Sequence, residues 1–262
     1  MGLPFLSLVL AALGGAVIGL LLSVFGGGGS VLATPLLIYV VGVRDPHVAI
    51  GTSAAAVAVN ATLGLATQAR AGRVKWPCAL VFAAAGLAGS LAGAQVAKQV
   101  EGARLLLWFA LAMALVGLSM LTRRKDEGDP AVRLNPALVA RLAPLGLLVG
   151  LAAGFFGIGG GFLIVPGLMA ATGMTLANAA ASSLVSVVLF GAATSASYAA
   201  SGLIEPRVFV ALVAGGGLGA LLGAPVARVL SGRAAVARRA FAAMVIVTAA
   251  YVAARAGGLW PS

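Results

Sequence analysis

The chain has 262 residues, of which 61% are apolar and only 9% charged, against about 25% charged in an ordinary soluble domain. That composition cannot cover a water-exposed surface, so a soluble globular enzyme is excluded. The net charge of +11 does not make a nucleic-acid binder either, because the basic residues punctuate apolar runs instead of gathering on one face among polar and aromatic neighbours.

The apolar content suffices for about eight membrane crossings of about 20 residues each. The first 25 residues lack a basic start and run directly into further apolar sequence, which argues for a retained segment over a cleaved signal peptide. A first apolar block, 4–42, is interrupted by the glycine cluster in FGGGGSVLATP at 25–35. Helices are predicted next at 48–69, 77–97 and 104–121. The stretch 123–143, with Arg123, Arg124, Lys125, Asp126, Glu127, Asp129 and Arg133, has the composition of a polar linker. A second block, 145–172, is interrupted by FGIGGGFLIVP at 156–166, and helices are predicted at 177–200, 207–228 and 236–254.

The two glycine motifs stand 131 positions apart. Gly42 then pairs with Gly173, Gly72 with Gly202, and Gly86, Gly89 and Gly93 with Gly216, Gly219 and Gly223, the later pairs after a shift of one residue. The chain therefore reads as two repeats, 1–122 and 144–262. The pieces after the glycines are about 13 residues long, roughly 20 Å as helix, too short for a bilayer core of about 30 Å. They read as re-entrant or broken helices.

Three full crossings per repeat, an odd number, would invert one repeat relative to the other. With a cytoplasmic linker this puts 12 Lys and Arg residues on the cytoplasmic side and 5 outside, in line with the positive-inside bias. A parallel duplication gives 10 against 7. The predicted fold is an all-α polytopic membrane protein of two inverted-topology repeats, each a glycine-broken hairpin plus three transmembrane helices.

Inverted repeats with matching Gly-interrupted segments point to a secondary transporter with a site near the midplane. Where a helix stops inside lipid, its terminal N–H groups need a partner from protein, water or substrate, and the positive end of a half-helix dipole favours an anion. Gly26, Gly27, Gly28 and Gly29, with Gly157, Gly159, Gly160 and Gly161, are the predicted backbone donors, forming a concave nest. Ser30, Thr52, Ser53, Asn60, Ser182 and Ser183 are the predicted side-chain partners. Asn60 lies seven residues past Ser53, nearly two helical turns. Thr62, Thr67 and Gln68, with Ser186, Thr194 and Ser195 opposite, would extend the polar lining. Pro35 and Pro166 are candidate hinges, with kinks or early-helix prolines as the plainer reading.

The six acidic residues all fall in predicted loops, leaving no intramembrane carboxylate to carry protons. His47, the lone histidine, reads as a loop residue at a segment mouth, and Cys78, the lone cysteine, as a small core residue. No cofactor, metal site or catalytic residue is expected. The expected partners are a small anionic substrate and the lipid bilayer, with no nucleic acid and a homo-oligomer left open.

The sequence FGGGGSVLATPLLIYVVG with AIGTS, the second FGIGGGFLIVPGLMAATG with AAASS, and the repeated GxxGxxxGA segments resemble the TauE/SafE family of sulfite exporters. The resemblance covers nearly everything but the linker. It implies a multi-pass bacterial inner-membrane transporter that exports sulfite, a sulfonate or a related sulfur-containing or organic anion. The family's glycine and proline positions fall on Gly26, Gly28, Gly29, Pro35, Gly157, Gly159, Gly160 and Pro166, and its Gly-Thr-Ser motif on Gly51, Thr52 and Ser53, which the second repeat replaces by Ala181, Ser182 and Ser183. The expected cycle moves one repeat against the other. Rival readings are an anion channel and a membrane scaffold subunit whose glycines only pack helices.

Overall fold

The computed structural model describes residues 5–122, 128–156, 161–231 and 234–256. Helix α1 (Phe5–Phe25) runs into a 3-10 segment (Gly26–Leu32), a single turn α2 (Ala33–Leu36) and a π-helical turn (Leu37–Val41). There follow α3 (Pro46–Arg70), α4 (Trp76–Ala97), α5 (Gly102–Thr122), α6 (Pro136–Phe156), α7 (Gly161–Thr172), α8 (Leu176–Ala199), α9 (Pro206–Ser231) and α10 (Ala234–Ala256). Counting α1 with its continuation as one span, eight helices among the described residues are long and apolar enough to cross a membrane, and α7 is a shorter one.

Local chemistry sets the ends. Asp45 accepts a hydrogen bond from the His47 amide at 2.8 Å and Pro46 opens α3, an N-cap followed by the residue that needs no N–H donor there. Thr175 caps α8 through the Asn178 amide. Gly42 and Gly173 close the two hairpins, and Gly72 and Gly202 follow α3 and α8, all four with positive φ, the left-handed conformation that ends a helix most cheaply at glycine. Helix α6 starts at Pro136, inside the stretch read as linker. The Asn135 side chain accepts from the Leu138 amide at 2.8 Å, so a cap and a proline outweigh the polar composition there.

Both interrupted blocks are hairpins. A Cβ on Gly29 would meet the backbone of Leu21 and Leu22, and one on Gly14 the side chain of Leu36, so residues 26–41 return antiparallel along α1. Gly167 of α7 faces Val149 of α6 in the same manner. Ahead of α6, the Asp129 amide donates to the Gly173 carbonyl at 2.9 Å and the Asn178 side chain to the Pro130 carbonyl at 3.2 Å. The α6–α7 hairpin thus begins and ends on one face of the molecule.

Two glycine seams bind distant parts of the chain. Along α1 and α9, a Cβ on Gly15, Gly19, Gly215 or Gly219 would strike the carbonyl of Leu212, Gly216, Ala12 or Ala16 respectively. Along α4 and α6, Gly86, Gly89, Gly93, Gly150 and Gly154 meet the facing backbone likewise. In both seams the residue numbers rise together, so each pair is parallel. Helices α3 and α8 pack antiparallel, with Gly51 against Tyr198 and Gly191 against Ala54 and Ala58. Lipid tails give no hydrophobic drive for helices to associate, so small residues that admit backbone contact carry the packing. Leu13, Leu115, Leu148, Leu221, Leu222 and Val247 point outward and exposed, a belt suited to acyl chains.

Candidate substrate site

The two interrupted hairpins touch. A Cβ on Gly27 would lie 2.8 Å from the Cα of Gly161, and one on Gly161 would fall on the Gly27 carbonyl. Helix α8 closes a third side, with Val187 against Gly27 and the Ala180 carbonyl where a Gly26 side chain would be. Gly26 has φ +60, which only glycine adopts readily. It therefore meets both a conformational and a steric requirement.

Polar groups converge on this junction. The Gly27 amide donates to Ser183 Oγ at 3.0 Å, and that hydroxyl donates onward to the Ala180 carbonyl at 2.7 Å. Ser30 Oγ donates to the Gly27 carbonyl at 2.8 Å. Gly26 to Ser30 are buried throughout. Ser186, on the same helix between Ser183 and Val187, is fully buried and its hydroxyl has no hydrogen-bond partner.

The remaining predicted residues are placed as follows. Ser53 shares a hydrogen bond of 2.9 Å with Thr34 of α2 and donates to the Ile50 carbonyl, which ties the returning segment to α3. Thr52 Oγ1 accepts from the Glu205 amide at 2.9 Å, and Ser182 Oγ from the Lys75 amide at 2.9 Å. These two hydroxyls hold the residues that immediately precede α9 and α4. Asn60 donates to the Leu212 carbonyl at 3.3 Å and packs on Gly216, at the α3–α9 crossing and not beside Gly27. Thr194 is bonded to Ser90 of α4 at 3.2 Å. Pro35 lies buried in α2 and Pro166 inside α7. Gly157, Gly159 and Gly160 lie outside the described residues. The segment after the first glycines is wound unevenly, a 3-10 stretch followed by one α-turn and one π-turn, a change of winding that often marks a functional hinge.

A space leads to this junction from the α3–α4 end. An outer cavity of about 330 Å³ is bordered by Ser23, Gln68, Arg70 and Arg73. A narrower one of about 40 Å³ shares Gln68 and Arg73 and ends on Phe25, Ala180 and Phe241. The Phe25 and Phe241 rings lie 5.6 Å apart, and the edge of Phe241 occupies the space beside Gly28. Leu176 and Ala177 also border the inner space, so it opens on the face where residues 128–130 dock. Phe241, Phe25 and Arg73 were not among the sequence candidates. Phe241 is far from Gly28 in the chain, and no spacing rule connects them. Among the described residues no group of three His, Cys, Asp or Glu side chains could hold a metal ion.

The family model "Sulfite exporter TauE/SafE" matches residues 11–252. The chain belongs to the TauE/SafE family. A "Probable membrane transporter protein" of Xylella fastidiosa strain Temecula1 is 43% identical over 249 residues, covering 94% of this chain and 95% of the relative. The Bacillus subtilis protein "Probable membrane transporter protein YunE" is 28% identical, covering 85% of this chain and 89% of the relative. No solved structure matches. This TauE/SafE chain is a multi-pass membrane transporter and not an enzyme.

Proposed function

We propose that this protein moves one small oxyanion, either sulfite, which the family description names, or a related sulfonate, through a site where the Gly26–Gly29 segment meets the start of α7. The observation that carries this reading is the contact of the two glycine breaks at Gly27 and Gly161, with Ser183 already bonded to the Gly27 amide. An anion entering there would be held by backbone N–H groups and by the hydroxyls of Ser183, Ser186 and Ser30, without a fixed positive charge.

We read the fold as two inverted repeats. In support, each glycine seam joins a helix of one repeat to a helix of the other, α1 to α9 and α4 to α6, and the corresponding helices α3 and α8 run antiparallel. With the seams intact, the bodies that rock are mixed, one built around α1 and α9 and the other around α4 and α6. The basic face carrying the linker is cytoplasmic on this reading. Among the described residues the acidic ones, Asp45, Glu101, Asp129 and Glu205, all lie outside the helices, and outward movement of an anion would draw on the membrane potential, about 2.3 kcal/mol per charge per 100 mV.

Proteoliposomes loaded with sulfite test the function. Saturable release that persists when the pH gradient is collapsed at fixed potential is the expected result, and Gly28→Val, whose side chain meets Phe241, should abolish it. Currents too large for a conformational cycle would establish the channel instead. A folded protein that moves no sulfite, sulfate, thiosulfate or sulfonate would establish the scaffold. A bound anion should also raise the melting temperature in detergent, by about 2.7 kcal/mol of stabilisation at a hundredfold excess over Kd.

A further inference from the structure

We infer that the outer cavity at the α3–α4 end is a collecting site for a free oxyanion, held by Arg70 and Arg73, and that Phe241 bars its way to the glycine junction. This rests on the transport reading above and adds to it a second, upstream binding site and a gate.

Charge and size favour the first part. The cavity, about 330 Å³, is far larger than the ~15 Å³ that admits one water. Two guanidinium groups and the Gln68 amide border it, and among the described residues none that lines it is acidic. Gln68 is fixed in place, its Nε2 donating to the Ser23 carbonyl at the end of α1 at 3.2 Å. Guanidinium is the side chain best suited to forked hydrogen bonding with an oxyanion, and a cleft lined by one sign of charge raises the local concentration of its counter-ion. The position matters as much as the charge, since Arg73 and Gln68 border the narrow inner space as well.

The inner space supports the second part. Beyond Arg73 the walls turn apolar, and the passage ends on Phe25 and on Phe241, which is 1% exposed. Because the Phe241 ring sits where a Gly28 side chain would be, it covers the backbone that the anion must reach. A rotation of that ring, or a shift of α10, would uncover it.

A charge-selective labelling experiment on the full chain tests both parts without needing transport. In a Cys78→Ala background, Ala71→Cys places a thiol at the outer cavity and Val187→Cys places one at Gly27. In neutral phosphatidylcholine nanodiscs, the Ala71→Cys thiol should react about tenfold faster with a negatively charged methanethiosulfonate reagent than with a positively charged one. Sulfate at matched ionic strength should slow the negative reagent, and Arg70→Gln with Arg73→Gln should bring the two rates together. The Val187→Cys thiol should be unreactive with Phe241 present and reactive in Phe241→Ala, or in Phe241→Leu if the smaller side chain prevents folding.

Equal rates for the two reagents at Ala71→Cys, or a preference unmoved by the arginine changes, would overturn the collecting site. Protection conferred by phosphatidylglycerol and not by sulfate would assign the arginines to lipid headgroups and overturn it too. A Val187→Cys thiol that reacts beside an intact Phe241, or that stays unreactive in folded Phe241 variants, would remove the gate. Charge preference without sulfite release from proteoliposomes would leave the collecting site standing and count against the transport assignment alone.

Discussion

The α3–α4 turn and the α8–α9 turn are built alike and filled differently. Each is closed by a left-handed glycine, Gly72 or Gly202, and each following helix start is held by a hydroxyl from across the molecule, Ser182 to the Lys75 amide and Thr52 to the Glu205 amide. At the first turn Gln68 and Arg73 border an open cavity. At the second, the positions 130 residues later hold Tyr198 and Leu203. Tyr198 is fully buried, packed on Gly51, stacked near His47 at 6.4 Å between centroids and covered by Lys98. The frame is shared and the plug is not, so in this conformation cavities reach from the α3–α4 end as far as Phe241, while an aromatic ring fills the corresponding place at the other turn.

The largest effect should come where the hairpins meet. Gly161→Val puts a branched side chain into the Gly27 backbone, and because backbone cannot step aside as a side chain can, the loss of stability should exceed the 1–3 kcal/mol usual for overpacking. Both the melting temperature in detergent and sulfite release should collapse. Next comes the plug itself. Tyr198→Ala should cost about 3–5 kcal/mol through the cavity it leaves. Tyr198→Phe should be neutral or slightly stabilising, because the buried hydroxyl has no hydrogen-bond partner and an unpaired buried polar group costs its desolvation. A large penalty for the phenylalanine variant would mean that Tyr198 does more than fill space, and the contrast between the two turns would need another basis.

The shared frame gives a smaller and sharper test. Ser182→Ala and Thr52→Val should each cost about 0.5–2 kcal/mol, the usual value of a lost helix cap, and by similar amounts. Unequal losses, read by chemical denaturation in detergent, would show that the two turns are not mechanically equivalent. The smallest effect is expected at Cys78, buried in α4. Cys78→Ala removes one heavy atom and should cost about 0.5–1.5 kcal/mol, with sulfite release unchanged.

Much of this architecture was legible because charges and caps punctuate it. The expected helix at 48–69 is Pro46–Arg70, and that at 77–97 is Trp76–Ala97, since Asp45 and Pro46 open one and prolines or glycines bracket both. Gly42, Gly72, Gly173 and Gly202 were read only as marks of a repeat, and they are also the left-handed residues that end helices. Tertiary capping leaves no mark in sequence. Thr52 and Ser182 were read as ligand groups, and the amide that each serves, more than 100 residues away, has no local signature. The same applies to Asn60, whose partner is a carbonyl of α9, and to Phe241, whose role depends on a glycine in a distant hairpin. The 3-10 and π turns after Gly26 escaped notice because apolar periodicity reports that a segment is buried, not how tightly its backbone is wound.

The parallel seams also constrain how the molecule is made. Helices α1 and α4 leave the ribosome early with glycine-lined faces whose partners, α9 and α6, are synthesised later. An isolated fragment ending near Thr122 would keep those grooves filled only with lipid, so the first five helices should not mature as a unit and are expected to be substrates for quality-control proteolysis until the second set arrives. Separately encoded fragments should survive only when co-expressed, because each completes the other's groove.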